Sequence, residues 1–183
     1  MHYTLYPSLR GRTVFISGGS SGIGAELVRA FSAQGSRVAF CGTRPDGGDA
    51  LLAELKATDD AAHLRYEACD VRDIAALQAL LDRVADQWGP IQVLVNNAGR
   101  DDRHALDELT PEYWDNCLAI NLRHQVFATQ SVARQLRTAQ LPGSIINMGS
   151  ISWMRGRPNL IGYTTSKAAI SGMTRTLARE LGD

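Results

Sequence analysis

Short apolar clusters rich in β-branched residues alternate along this chain with segments in which apolar residues recur at helical spacing. The first cluster, TVFIS at residues 13–17, is followed by apolar residues at intervals of three and four that end before Gly35. The same pairing of a strand with a helix recurs along the chain, without hairpin turn signals between strands. This order predicts a doubly wound α/β fold, in which helices cover both faces of a parallel sheet.

Local sequence signals set the expected boundaries of these elements. Five strands are expected at residues 13–17, 37–41, 64–69, 91–95 and 144–148. Helices are expected before Gly35, from about residue 49, after the N-cap Asp73 as far as Gly89, from Pro111 to about Thr138 after the N-cap Thr110, and from about Tyr163 to Leu181. The buried helix faces are expected to carry Ile23, Leu27, Ala30 and Phe31, then Ile74, Leu77, Leu80, Leu81 and Val84, then Leu118, Leu122 and Val126. Residues 42–49, GTRPDGGD, are expected to form a loop.

Length and composition exclude several classes of function. The 183 residues fit one domain, residues 1–183, and 19 basic side chains balance 19 acidic ones, so no surplus positive charge is available for nucleic acid. No apolar run approaches the ~18 residues that a membrane helix needs. The first ten residues lack the apolar core of a signal peptide, which predicts a cytoplasmic protein. No metal site is expected, since the cysteines show no metal-binding spacing and are interpreted as small buried residues: Cys41, Cys69 and Cys117.

A glycine-rich loop, SGGSSGIG, joins the first strand to the first helix. Ligands of doubly wound sheets lie at the carboxyl ends of the strands, and the N-terminus of a helix attracts a pyrophosphate. Glycine also lets the backbone turn sharply and lets a ligand approach closely. The spacing is GxxxGxG rather than GxGxxG, so a tight turn without a ligand is the alternative. The candidate dinucleotide contacts are Gly18, Ser20, Ser21, Gly22, Ile23 and Gly24.

The end of the second strand bears on the choice of dinucleotide. An acidic side chain about 20 positions after the glycines selects NAD, whereas an arginine accommodates the 2′-phosphate of NADP. This region reads Gly42, Thr43 and Arg44, without an acid. The sequence therefore favours NADP over NAD, with Thr43 and Arg44 as cofactor contacts, unless Arg44 is only a solvated loop residue.

Three polar side chains near the C-terminal end of the sequence suggest acid–base chemistry. Tyr163 and Lys167 are four residues apart, so they share a helix face about one turn, ~5.4 Å, apart. An ammonium in a partly desolvated cleft could bring a phenol from its usual pKa near 10 toward neutrality. Ser150 follows the fifth strand, where its hydroxyl could orient a carbonyl oxygen. A chance helical pair and a turn serine are the simpler interpretations.

These features occur together and in one order, and from Leu9 to Asp183 the chain resembles the short-chain dehydrogenase/reductase family. The residues that carry the resemblance are SGGSSGIG, Asp70-Val71, the NNAG of residues 96–99, Asn121, Ser150 and the YTTSK of residues 163–167. The resemblance implies Rossmann-type dinucleotide-binding topology, hydride transfer between nicotinamide and a carbon that bears oxygen, and a homo-oligomer. The alternative interpretation of NNAG is a simple strand end.

The resemblance also implies roles for individual residues. Tyr163 would be the catalytic acid/base and Lys167 would lower its pKa and hold the nicotinamide ribose. Ser150 would position the reacting oxygen, and Asn121 would support a water in the proton relay. The remaining implied cofactor contacts are Asp70, Val71, Asn97, Ala98 and Gly99.

The segments that follow NNAG and Ser150 are similar to the branch that oxidises aldoses such as D-xylose at C1 to lactones. Arg100 stands where that branch commonly has Asn, and Gly42 stands where it often has an acid. The expected substrate contacts are Asp102, Arg103, Ser152 and Trp153, unless residues 101–104 form surface ion pairs. The alternative functions are a carbonyl or 3-oxoacyl reductase of the same family and an inactive dinucleotide-binding module.

Members of the family continue beyond the point where this sequence ends, into a sixth strand, a substrate-covering loop and a seventh strand. We therefore expect the domain of residues 1–183 to be incomplete at its C-terminal end and its sheet to stop at the fifth strand. The sequence is then part of a longer parent protein or a naturally short, inactive chain. In both cases the fifth strand is expected to be an open sheet edge.

Overall fold

The computed structural model describes residues 4–57 and 63–182, so residues 1–3, 58–62 and 183 of the predicted domain lie outside the description. The five strands are β1 (Thr13–Ser17), β2 (Arg37–Gly42), β3 (Leu64–Ala68), β4 (Val93–Asn96) and β5 (Ser144–Asn147). The helices are α1 (Gly22–Ala33), α2 (Pro45–Lys56), α3 (Ile74–Trp88), α4 (Pro111–Leu118), α5 (His124–Ala139), α6 (Ser152–Arg155) and α7 (Ile161–Leu181). A π-helical turn, Ala119–Arg123, joins α4 to α5.

All five strands are parallel and lie in the order β3-β2-β1-β4-β5, which confirms the doubly wound α/β fold. Side chains alternate across β1, so Phe15 packs with α3 and α5 on one face of the sheet. Val14 and Ile16 pack with α1 and α2 on the other face. The strand order reverses between β1 and β4, and the carboxyl ends of these two strands therefore flank the place where such sheets bind ligands.

Strand β5 has a different environment from the four other strands. Among the described residues it pairs with β4 alone, and its side chains alternate between exposed and half-buried, with Ile146 43% exposed. This strand is the open edge that the sequence analysis predicts. In the same described part of the chain, no helix combines the length and the apolar character needed to cross a bilayer.

The predicted loop at residues 42–49 is wrong, because α2 already begins at Pro45. Proline suits the first position of a helix, since its φ is preset and its missing N–H has no partner there. Gly48 lets the helix lie against β3: a Cβ at this position would meet the ring of Tyr66 at 2.2 Å. The contact between Gly48 and Tyr66 joins residues distant in sequence, so local patterns do not reveal it.

The predicted buried face of α1 is also partly wrong. Ile23 is 65% exposed, and the buried residues of the helix are Gly24, Ala25, Val28 and Ser32. A Cβ at Gly24 would lie only 2.0 Å from the carbonyl oxygen of Gly18. This close approach fixes the rotation of α1 about its axis, and it turns Ile23 outward.

The single long helix predicted from Pro111 to about Thr138 is two helices with the π-helical turn between them. The extra residue of a π turn shifts the helix phase, so the predicted stripe does not form. Val126 is 40% exposed, and Leu118 and Leu122 are only half-buried. The residues buried around and after the turn are Cys117, Ala119, Ile120, Asn121, His124, Gln125, Ala128, Thr129, Ser131 and Val132. Half of them are polar: Asn121, His124, Gln125, Thr129 and Ser131.

Several local predictions are confirmed. The side chain of Asp73 accepts a hydrogen bond from Ala76 N at 2.9 Å, and that of Thr110 accepts one from Tyr113 N at 3.2 Å, as N-caps do. Gly89 ends α3 with a φ of +84°. The three cysteines are free and buried.

Candidate active site

A cavity of about 760 Å³ opens at the carboxyl ends of the strands, next to the ends of β1 and β4. It extends from the glycine-rich loop to the start of α7. The predicted residues that line it are Gly18, Ser20, Ser21, Ile23, Gly24, Thr43, Arg44, Asp70, Val71, Asn97, Ala98, Gly99, Tyr163 and Lys167. The fold thus brings the glycine-rich loop and the Tyr163–Lys167 pair, which are far apart in sequence, to one cavity.

The main chain of the glycine-rich loop turns sharply and packs closely against neighbouring residues. Gly18 and Gly22 have φ of +67° and +55°, which L side chains rarely adopt. A Cβ at Gly18 would lie 2.9 Å from the Cα of Ala98, and one at Gly22 would meet nothing within 4 Å. Helix α1 begins at Gly22, and Ile23 and Gly24 of its first turn line the cavity. The positive end of the helix therefore lies beside the cavity, where an anionic group is stabilised.

The end of β2 carries a cation and no acid on the cavity wall. Arg44 donates a hydrogen bond from its guanidinium to Ser21 Oγ at 2.9 Å. Ser20 fills the space beside Gly42, since a Cβ there would lie 2.3 Å from Ser20 Oγ. An acidic side chain at residue 42 would therefore displace Ser20.

Asp70 is the acidic residue among the cofactor contacts that the resemblance implies. Its carboxylate accepts hydrogen bonds from the Nε of Arg72 at 2.9 and 3.0 Å and from the Arg72 main chain at 2.9 Å. The side-chain bond to Arg72 lowers the pKa of Asp70, so the carboxylate stays ionised at neutral pH. Arg72 also donates to Asn116 Oδ1 at 2.7 Å, and this bond ties the end of β3 to α4.

Lys167 is a buried ammonium at the other end of the cavity. Its side chain is 4% exposed, and Nζ donates to the carbonyl oxygen of Met148 at 2.7 Å. Nζ lies 5.6 Å from the centre of the Tyr163 ring. Burial lowers the pKa of Lys167, because desolvation disfavours the charged form. A cation and a phenol thus share one partly desolvated wall.

Asn121 lies behind this wall rather than on the cavity surface. Its Oδ1 accepts from Arg100 N at 2.9 Å, and its Nδ2 donates to the Cys117 carbonyl at 3.0 Å. Gly99 fits closely in front of it, since a Cβ at Gly99 would lie 2.9 Å from Asn121 Oδ1 and 3.5 Å from Lys167 Nζ. The side chain of Asn121 therefore holds the turn that follows β4.

Ser150 lies at the rim of the cavity, next to the lining residue Gly149. Its Oγ accepts from Ser152 N at 3.1 Å and forms a hydrogen bond of 3.0 Å with Ser152 Oγ. These bonds fix the rotamer of Ser150 through Ser152. The catalytic role of Ser150 stays a prediction.

The four predicted substrate residues lie outside the cavity lining. Asp102 forms an ion pair of 2.8 Å with Arg100, and both side chains are exposed. Arg103 is exposed as well, and Trp153 is 36% exposed. The ion pair of Asp102 agrees with the alternative of a surface ion pair at this residue, and the substrate roles of Asp102, Arg103, Ser152 and Trp153 stay predictions.

Several residues that line the cavity are absent from the predicted site. They are Gly42, Cys69, Arg72, Arg100, Asp101, Ile120, Met148 and Gly149. Each is a sequence neighbour of a predicted residue at the carboxyl end of a strand or beside Asn121. Their place in the chain could have identified them, because the carboxyl ends of parallel strands meet at the same edge of the sheet.

Comparisons with known proteins agree with this geometry. A family model described as short chain dehydrogenase matches residues 12–183. A D-xylose 1-dehydrogenase of Caulobacter vibrioides is 45% identical over 182 residues, which cover 100% of this chain and 71% of that protein. A probable galactose dehydrogenase of Rhizobium meliloti is 44% identical, with 97% of this chain and 68% of that protein covered.

Solved structures are similar over almost the whole chain. A short chain dehydrogenase from Burkholderia cenocepacia in complex with NADP has a TM-score of 0.87 and 34% identity, and 95% of this chain and 70% of that one are covered. A blue fluorescent protein from a metagenomic library, in complex with NADPH, has a TM-score of 0.85 and 37% identity over the same shares. The match in motifs, fold and sequence establishes that the chain belongs to the short-chain dehydrogenase family.

Proposed function

We propose that the cavity binds NADP and that the protein oxidises an aldose sugar at C1 to a lactone. The observation that carries the proposal is the shared cavity, which has the glycine-rich loop at one end and the Tyr163–Lys167 pair at the other. The relatives named D-xylose 1-dehydrogenase and probable galactose dehydrogenase support a sugar substrate. NAD is the alternative cofactor.

The residues present fit a dinucleotide. Gly18 and Gly24 let the loop pack tightly on Ala98 and on itself, and the space beside Gly22, at the first turn of α1 where a pyrophosphate is stabilised, is open. Arg44 offers a cation to a 2′-phosphate, and no acid at residue 42 repels it. The structures similar to this chain contain NADP and NADPH, which supports NADP over NAD. When bound, the nicotinamide supplies the acceptor for the hydride that leaves the sugar C1.

The side chains around the nicotinamide end have complementary tasks in this proposal. The phenolate oxygen of Tyr163 removes the proton from the C1 hydroxyl of the sugar and becomes the neutral phenol. The ammonium of Lys167 stabilises the negative charge of the phenolate before this transfer, and Ser150 donates a hydrogen bond that orients the sugar oxygen. Asn121 keeps the Gly99–Arg100 turn in place through its bond to Arg100 N.

The test combines cofactor binding with turnover. We expect NADPH fluorescence to titrate with the protein, and D-xylose, L-arabinose or D-glucose to produce NADPH absorbance from NADP. Tyr163→Phe should abolish turnover and leave the NADPH Kd within about twofold, because the ring remains and only the hydroxyl is lost. Tyr6→Phe is the control, since Tyr6 is 57% exposed and lies outside the cavity.

The alternatives give different results in the same assays. Reduction of ketones or 3-oxoacyl thioesters without activity on any aldose would indicate a reductase of the same family. NADPH titration without turnover on any substrate would indicate a binding module. The homo-oligomer and the cytoplasmic location expected from the sequence stay predictions.

A further inference from the structure

Two consecutive polar side chains at the start of α5 are completely buried behind the cavity. His124 and Gln125 are both 0% exposed. Gln125 Nε2 donates to the main-chain carbonyl of Asn121 at 3.2 Å, and His124 Nε2 lies 3.2 Å from that of Ala98. Burying a polar side chain is costly unless its hydrogen bonds compensate, so two such residues in a row need an explanation.

The contact between His124 and Ala98 determines the state of the imidazole. A carbonyl oxygen only accepts hydrogen bonds, so Nε2 must carry the hydrogen. Burial, together with a smaller effect of the nearby charge of Lys167, lowers the pKa of His124 to about 4. The ring is therefore neutral at pH 7, with Nε2–H directed at Ala98 and Nδ1 unprotonated.

Ala98 is held from two sides, and it lines the cavity where it packs against Gly18 of the glycine-rich loop. Ser17 Oγ at the end of β1 accepts hydrogen bonds from the main-chain N of both Asn97 and Ala98, each at 3.1 Å. His124 contacts the carbonyl on the other side of the same residue. The Cα of Ala98 lies 2.9 Å from where a Cβ at Gly18 would be, so the two residues are in contact and a movement of Ala98 displaces Gly18 as well.

We propose that His124 is a positioning residue: by holding the Ala98 carbonyl it fixes the Ala98–Gly99 wall of the cavity against Gly18 of the glycine-rich loop. This inference rests on the proposed function, because the dinucleotide is the ligand placed in the cavity that this wall lines. His124 touches neither the cavity nor the ligand and acts through the main chain. The same anchor supports Gly99, which fits against Asn121 and Lys167.

The experiment compares two replacements of His124. His124→Gln keeps an N–H donor that can reach the Ala98 carbonyl, whereas His124→Met has similar bulk and no donor. We expect His124→Met to raise the NADPH Kd about tenfold and the KM for NADP in parallel, with a smaller change in kcat at saturating NADP. His124→Gln should stay within about threefold of the parent. Ser131→Ala is the control, since Ser131 is equally buried on α5 and its hydroxyl has no partner among the described residues.

A second readout does not depend on the cofactor. Amide hydrogen exchange of residues 96–100, measured without NADPH, should be faster in His124→Met than in the parent and unchanged in Ser131→Ala. Ser17→Ala removes the opposite anchor and should shift exchange and Kd in the same direction, so the proposal stays testable if His124→Met does not fold. Unchanged exchange and Kd in either folded variant would overturn the proposal, and so would equal effects of Met and Gln at residue 124. Faster exchange in His124→Met than in the parent, combined with a parent protein that binds no NADPH, would instead contradict the proposed function and leave the positioning role standing.

Discussion

The two ends of the cavity are built in different ways. The glycine-rich loop is fixed by main-chain contacts, with the Cβ positions of Gly24 and Gly18 only 2.0 and 2.9 Å from other backbone atoms. At the other end, the rim near Ser150 borders the cavity without lining it, and it carries partly or largely exposed side chains, with Trp153 36% and Met154 68% exposed. Main-chain contacts leave few tolerated substitutions, whereas exposed side chains can change without affecting the fold. We therefore expect changes in the loop to affect both stability and the cofactor, and changes at the rim to affect only the substrate.

The largest effect is expected at Gly24, where the loop and α1 touch. Gly24→Ala places a methyl group 2.0 Å from the Gly18 carbonyl oxygen, so the loop must move. We expect a loss of about 3 kcal/mol in the free energy of unfolding by urea and a loss of measurable NADPH binding.

Gly172→Ala in α7 is the matched control for Gly24→Ala. A Cβ at Gly172 meets nothing within 4 Å, so alanine should stabilise the helix by about 0.5–1 kcal/mol. A Gly24→Ala protein that unfolds at the same urea concentration as the parent would show that the loop does not depend on this contact.

The next effect is the pH dependence of stability that the buried His124, behind the cavity wall, should cause. Burial holds the pKa of His124 at about 4, below the ordinary 6.5, so the unfolded chain binds this proton more readily than the folded one. Stability is therefore lost as pH falls from above 6.5 toward 4, by about 2 kcal/mol between pH 7.5 and pH 5. Urea unfolding at the two pH values should show this loss, and the loss should be smaller in His124→Gln. An equal loss of unfolding free energy in both proteins would contradict the prediction.

A smaller effect is expected at the end of β2, where the loop meets the 2′-position of the cofactor. Gly42→Asp should lower the preference for NADPH over NADH about tenfold, because a carboxylate repels the 2′-phosphate. Gly42→Ala displaces Ser20 in the same way without adding charge, so it separates the steric effect from the electrostatic one. Kd values for both cofactors provide the measurement, and an equal shift in both variants would rule out recognition by charge.

The smallest effect on the folded state is expected at the rim. Trp153→Ala should change the free energy of unfolding by less than about 1 kcal/mol, since the side chain is not part of the buried core. We expect it to raise the aldose KM several-fold and to leave the NADPH Kd unchanged. Met154→Ala, at the more exposed neighbouring residue, is the control. An unchanged KM would remove Trp153 from the substrate site.

The sequence predicts those parts of the fold that depend on local patterns. The strand–helix alternation and the N-caps Asp73 and Thr110 follow from residues close together in the chain, whereas the open edge at β5 follows from the family resemblance. The rotation of α1 and the packing of α2 on β3 are not predicted, because tertiary contacts decide them: Gly24 packs against Gly18 and Asn97, and Gly48 packs against Tyr66. The π-helical turn likewise shifts the buried face of α5 without a local signal.

The candidate site shows the same division. The glycine-rich loop, Tyr163 and Lys167 are recognisable from motifs, and the strand order brings them together. His124 and Gln125 are not recognisable, because polar residues on a helix usually face solvent and only the structure shows the carbonyls that they hold. Polar residues that are buried because they bond main-chain groups thus cannot be predicted from periodicity.

A crystal structure of the protein with NADPH bound tests most directly whether the two ends of the cavity serve one ligand. We predict that the pyrophosphate lies at the first turn of α1 and that the nicotinamide ribose lies beside Lys167 Nζ, with the nicotinamide ring near Tyr163. A dinucleotide bound elsewhere, or bound with its nicotinamide remote from Tyr163 and Lys167, would contradict this account.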